Sequence, residues 1–84
     1  MKNEDQIQLE AATYRRLVKH LQENTDLQNI DLMNLAGFCR NCLSKWMTEE
    51  AQSLDIKIDY EESRNRVYGM SYSSWKKKFQ KPIK

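Results

Sequence analysis

The stretch "IDLMNLAGFCRNCLSKWMTEEAQSL", residues 30–54, decides the fold, because its apolar residues return every three or four positions. That spacing places them along one face of an α-helix. The shared face carries Leu32, Leu35, Ala36, Cys39, Cys42, Leu43, Trp46 and Met47. Only two glycines and one proline occur in the chain, which favours helices over a turn-rich β fold. The pattern therefore predicts one long regular helix from Ile30 to Leu54.

Three further helices are predicted on either side of this stretch. Residues 3–23 have an apolar face of their own and predict a long first helix. That face consists of Ile7, Ala11, Tyr14, Leu17, Val18 and Leu21. A capping box of Asp59 and Glu62 and a helix-ending Gly69 predict a short helix from about Tyr60 to Tyr68. Ser71 as an N-cap predicts another short helix, which carries Tyr72, Trp75 and Phe79 and ends before Pro82. Together these features predict an all-α fold, a single helical domain over residues 1–84 built as a small bundle of about four helices, two long and two short.

The charge is distributed unevenly along the chain. The net charge is +2, and 31% charged with 39% hydrophobic residues is the composition of a soluble globular protein. The last ten residues hold five lysines and no acid. Within them, residues 80–84 follow the last aromatic side chain and are predicted to form a disordered basic tail. Because the rest of the chain lacks the overall basicity of a nucleic-acid-binding protein, we expect no nucleic-acid partner.

The apolar segments of the chain are short. None approaches the roughly 18 consecutive apolar residues of a membrane span, and no apolar stretch follows a basic start as in a signal peptide. The sequence therefore predicts a cytoplasmic protein without a membrane partner. In that compartment the two cysteines are expected to be reduced thiols.

Cys39 and Cys42 form a C-x-x-C pair that can be interpreted in three ways. In thiol-redox sites the first cysteine lies at a helix N-terminus, whereas the predicted helix places Cys39 about ten residues from its start. A metal site would hold zinc or another transition metal, with its ligands completed either by His20 and a carboxylate or by the cysteine pair of a second chain in a dimer. Otherwise both thiols are small apolar core residues and no cofactor is expected. The position within the apolar face favours the core interpretation.

A polar surface is predicted on the side of the 30–54 helix opposite its apolar face. Asn34 and Asn41 are one heptad apart there, where lysine or glutamate would suit an exposed helix better. With Arg40 and Lys45 they are predicted to form a hydrogen-bonding surface for a partner. The alternative is that these side chains are only solvated.

Three segments of the chain resemble a known family. The segments "EAATYRRLVKHLQENTDLQNIDLMN", "QNIDLMNLAGFCRNCLSKW" and "YGMSYSSWKKKFQ" are similar to short bacterial proteins grouped as domain of unknown function 1244. The resemblance extends from about Leu9 to Gln80. Where the family usually has proline, this chain has Ser71, which can begin a helix as an N-cap. The resemblance implies an all-helical bundle and no particular activity.

The function expected from the sequence is protein binding. Spacing alone pairs no serine or carboxylate with the one histidine, so no catalytic residue is assigned. We expect a non-catalytic protein-binding or adaptor module. The large aromatic surface for a chain of this length favours a homodimer. The alternative function is a metal-binding or thiol-redox protein that uses Cys39 and Cys42.

Overall fold

The computed structural model describes residues 1–82, which form only α-helices and their connections. The prediction of an all-α fold is confirmed. The helices are α1 (Asn3–Glu23), α2 (Asn29–Ala36), α3 (Arg40–Ser53), α4 (Tyr60–Tyr68) and α5 (Tyr72–Phe79). The described residues thus contain five helices where about four were predicted. None of the five is both long enough and apolar enough to cross a membrane.

The additional helix arises from a break in the predicted 30–54 helix. After α2, Gly37 has a φ of 76°, in the left-handed region that glycine adopts most readily. Cys39 then has extended backbone, with φ −135° and ψ −177°, and is the N-cap of α3. The prediction of one helix from Ile30 to Leu54 is therefore wrong. It failed because the apolar periodicity continues across a break that only the glycine signals.

One hydrophobic core receives side chains from all five helices. α3 packs against α4, and α4 also contacts α1 and α5. The core consists of Val18, Leu21, Leu32, Cys39, Leu43, Val67, Tyr68 and Trp75. At its centre the rings of Tyr68 and Trp75 meet edge to face with centroids 5.3 Å apart, an arrangement that stabilises beyond simple burial.

The first half of α1 projects from this core. Every residue from 1 to 10 is exposed, and we call residues 3–12 the α1 arm. The molecule measures 48 × 26 × 21 Å, and its radius of gyration is 14.1 Å. A compact domain of this length has a radius of gyration of about 12 Å. The chain is therefore elongated, because the core covers only the second half of its longest helix.

The chain segment after α5 is attached to the connection between α1 and α2. Gln28 Nε2 donates to the carbonyl of Phe79 at 2.9 Å, and Gln28 Oε1 accepts the N–H of Lys81 at 2.8 Å. The tail predicted to be disordered, residues 80–84, begins at this contact. Residues 83 and 84 lie outside the described part of the chain, so the disorder of the tail stays a prediction.

Candidate functional site

The cysteine pair lies at the start of α3. Cys39 is the N-cap residue and Cys42 lies in the first turn. Their Sγ atoms are 3.6 Å apart. Cys39 is only 8% exposed and belongs to the core, whereas Cys42 is half-buried. The argument that Cys39 lies too deep in a helix for redox chemistry is therefore wrong, because the break after α2 puts it at a helix N-terminus.

Two opposing effects act on the thiol of Cys39. Burial has the larger effect and raises its pKa, because a thiolate loses solvation in the core. The backbone N–H groups of Cys42 and Asn41 lower the pKa by favouring the thiolate. The first turn of α3 contains no acidic residue whose negative charge would offset the positive end of the helix dipole. Cys39 is thus a buried thiol whose pKa lies above its ordinary value.

His20 is not brought to the cysteine pair. It is exposed near the end of α1, where its Nδ1 lies 3.4 Å from Asn24 Nδ2. Within residues 1–82 of one chain, no three His, Cys, Asp or Glu side chains come together as metal ligands. The set of Cys39, Cys42 and His20 is therefore not assembled in this chain. Binding of zinc or another transition metal by the cysteine pair stays a prediction.

Arg40, the first residue of α3, is buried and only 1% exposed. Its guanidinium donates, over 2.6 to 3.1 Å, to the carbonyls of Leu21, Asn24 and Leu27 and to Asn29 Oδ1. Two of these carbonyls end α1, so the cation lies at the negative end of that helix dipole. The prediction of Arg40 on the exposed binding surface is wrong. Arg40 is the first residue of α3 after the break, and its side chain points inward to the end of α1.

Asn41 also takes part in the interior. The Tyr68 hydroxyl donates to Asn41 Oδ1 at 2.8 Å and accepts from Asn29 Nδ2 at 3.0 Å. Burial raises the pKa of Tyr68, so the hydroxyl remains a neutral donor. The other two residues of the predicted surface, Asn34 and Lys45, are exposed. The structure therefore divides the predicted surface into two residues of the interior network and two exposed residues.

An open apolar groove, not predicted from the sequence, runs along α3. It is bounded by α1, α4 and the connection after α3, and it encloses about 570 Å³. The residues that line it are Tyr14, Leu43, Trp46, Met47, Glu50, Ala51, Leu54, Ile56, Ile58 and Arg66. We call it the α3 groove. With eight of ten lining residues apolar or aromatic, it is suited to an apolar partner surface.

The turn that follows α3 forms one end of the α3 groove. The N–H of Ile56 donates to the carbonyl of Ala51 at 2.8 Å, and the N–H of Asp55 donates to the carbonyl of Gln52 at 3.2 Å. Asp55 has a φ of 58°, and these bonds form a Schellman motif that turns the chain back. The sequence feature that could have indicated the groove is "DIKID", residues 55–59. In this connection two isoleucines alternate with charged residues, although a connection is usually polar.

These observations define a small all-α protein with an exposed helical arm, an apolar groove and a cysteine pair at a helix start. The chain belongs to the family described as protein of unknown function (DUF1244), whose model matches residues 27–84. The match confirms the family resemblance, and it begins after α1. No curated protein matches the chain.

Proposed function

We propose that the protein is a non-catalytic protein-binding module whose first partner is a second copy of the same chain. In this homodimer the α1 arm of each chain lies in the α3 groove of the other. The supporting observation is that one chain carries both an exposed amphipathic helix end and an open apolar groove. Each feature has the chemistry that the other would bury.

The exposed area is large enough for such an interface. The chain exposes 6575 Å², whereas a compact monomer of this mass exposes roughly 5,300 Å². The excess of roughly 1,300 Å² is larger than the ~800 Å² that each partner buries in a standard interface. A dimer could therefore form by covering only part of this excess.

The apolar face of α1 continues past the core. Ile7 lies on the same helical face as Tyr14 and Val18, yet Ile7 is 57% exposed whereas Val18 is buried. A helix with such a face needs a second packing surface for its outer half. The Tyr14 hydroxyl, where core and arm meet, is buried without a hydrogen-bond partner in residues 1–82. A polar side chain of the partner's arm would satisfy it.

The charges of α1 are arranged for antiparallel pairing. The arm carries Glu4, Asp5 and Glu10, and the second half of α1 carries Arg15, Arg16 and Lys19, followed by Glu23 at its end. Arg15 and Lys19 line a surface that adjoins the α3 groove at Tyr14 and Met47. A two-fold axis would place the acids of each arm near the bases of the partner, which favours this orientation. Because a two-fold contact is closed, assembly stops at two chains.

Substitutions on the arm test this proposal. We expect light scattering to give a dimer for the unmodified chain and a monomer for Ile7→Glu, because the new charge would lie on the buried face. Leu9→Glu is the matched control, since Leu9 is 55% exposed on the opposite face of the same helix. It should leave the dimer intact. A monomeric unmodified chain, or equal effects of the two substitutions, would contradict the proposal.

The α3 groove is tested in the same way. Leu54→Glu changes a groove residue and should raise the dimer dissociation constant at least about tenfold, a cost of about 1.4 kcal/mol. Leu35→Glu changes a residue that is also exposed but lies on α2, outside the groove. Sedimentation equilibrium should show weakening for Leu54→Glu only. A similar loss for both variants would place the interface elsewhere.

A further inference from the structure

We infer that Cys39 and Cys42 form a redox-active dithiol, which an external disulfide oxidises to an intramolecular disulfide and external thiols reduce again. The site is separate from the proposed dimer interface, because neither cysteine lines the α3 groove. Three observations support the inference: the distance between the sulfurs, their unequal exposure and the charge buried beside them.

The distance between the sulfurs is short enough for bond formation. The Sγ atoms are 3.6 Å apart, and a disulfide needs about 2.05 Å, so a movement of roughly 1.5 Å closes the bond. Inside a regular helix, cysteines three apart have Cβ atoms about 5–6 Å apart, against ~3.8 Å in a disulfide. The extended backbone of Cys39 takes its side chain off the helical path. The bond can therefore form without unwinding α3.

The exposure of the two sulfurs assigns their roles. Cys42 is half-buried, and its Sγ contacts Met33 Sδ at 3.6 Å on the exposed side of the pair. An external disulfide can reach this sulfur, whereas Cys39 is covered by the core. Cys39 needs no access to solvent to attack the sulfur next to it. Cys42 is therefore the attacking cysteine and Cys39 the resolving cysteine.

The buried cation of Arg40 opposes, at Cys39, the burial that raises the pKa of this thiol. Arg40 follows Cys39 directly, and within residues 1–82 its guanidinium donates to neutral carbonyl and amide oxygens. No carboxylate in that range forms an ion pair with it. A buried cation without a counter-ion attracts a thiolate at its side, and the electrostatic interaction of Arg40 with Cys39 has this sign.

The reaction proceeds in two exchange steps. The thiol of Cys42 gives its proton to solvent, and the thiolate attacks one sulfur of the external disulfide. The external S–S bond breaks, and one thiol leaves with a proton from solvent. The thiol of Cys39 then gives its proton to solvent, and its thiolate attacks the sulfur of Cys42. The bond between Cys42 and the external sulfur breaks, and the second external thiol leaves with a proton from solvent. Two cysteine thiols are thereby oxidised to one disulfide, and the external disulfide is reduced to two thiols.

Mass spectrometry after incubation with oxidised glutathione tests the inference. The unmodified chain should become lighter by two hydrogen atoms and retain no glutathione. Cys39→Ser should stop at a stable adduct with one glutathione on Cys42. Cys42→Ser should form an adduct at least about tenfold more slowly, because the remaining thiol is covered. Reduced dithiothreitol should restore the starting mass in each case.

Several outcomes would overturn the inference. These are retention of glutathione by the unmodified chain, a disulfide between two chains, or equal reaction rates of the two serine variants. If a serine variant loses its far-UV helical signal, the mass of the oxidised unmodified chain decides alone. Ile7→Glu should oxidise as fast as the unmodified chain; slower oxidation would mean that a second chain completes the site and would overturn the single-chain assignment.

Discussion

At the residue scale, Arg40 joins α3 to the end of α1 and to the connection that follows it. Arg40→Met keeps an unbranched side chain but leaves buried carbonyls without a donor. We therefore expect it to lower the free energy of unfolding by about 3–5 kcal/mol. Arg40→Lys should cost about 2 kcal/mol, because an ammonium cannot reproduce the planar fork of donors. Urea denaturation followed by circular dichroism measures both.

Lys77→Met is the matched control for this prediction, because Lys77 is an exposed cation on α5, outside the proposed interface. Its effect should stay within about 0.5 kcal/mol. An equally small effect of Arg40→Met would mean that Arg40 is a surface residue after all. The sequence could not show that Arg40 points inward, because the direction of that side chain depends on where α3 begins. Apolar periodicity gives the face of a helix but not its first residue.

At the element scale, Gly37 separates α2 from α3. Gly37→Ala should lower the stability by about 1–2 kcal/mol, because alanine is strained in the left-handed region. An added Cβ meets nothing within 4 Å, so no steric clash contributes. Gly37→Asn should cost less, since asparagine tolerates this backbone. In one continuous helix, alanine would instead stabilise by about 1 kcal/mol, so thermal denaturation distinguishes the two structures by sign.

The two ends of α4 show why the break at Gly37 was not predicted. Asp59 accepts the N–H of Glu62 at 2.8 Å and begins α4, and Gly69 ends that helix with a φ of 73°. Both were predicted, because cap, glycine and the end of the apolar pattern coincide there. At Gly37 the pattern runs on through Cys39, so the periodic signal and the glycine disagree. The glycine, and not the apolar periodicity, indicated where the helix ends.

At the scale of the whole molecule, periodicity identified apolar faces but not what covers them. Ile7 and Trp46 both belong to predicted apolar faces, yet each is about half exposed. Coverage depends on how far one helix extends past another, which is set by packing and not by spacing within a helix. The core was therefore largely predictable from the sequence, whereas the α1 arm and the α3 groove were not.

The attachment of the chain end by Gln28 gives a prediction at the same scale. A chain that ends at Lys81 keeps the backbone N–H that Gln28 Oε1 accepts, so its melting temperature should stay within about a degree of the full chain. A chain that ends at Phe79 loses this bond, worth about 0.5–1 kcal/mol, and should melt about 2–8 °C lower. The exposed ion pair of Lys81 with Asp26 should add little. Equal melting of both truncated chains and the full chain would mean that the whole tail is dispensable, as its predicted disorder implies.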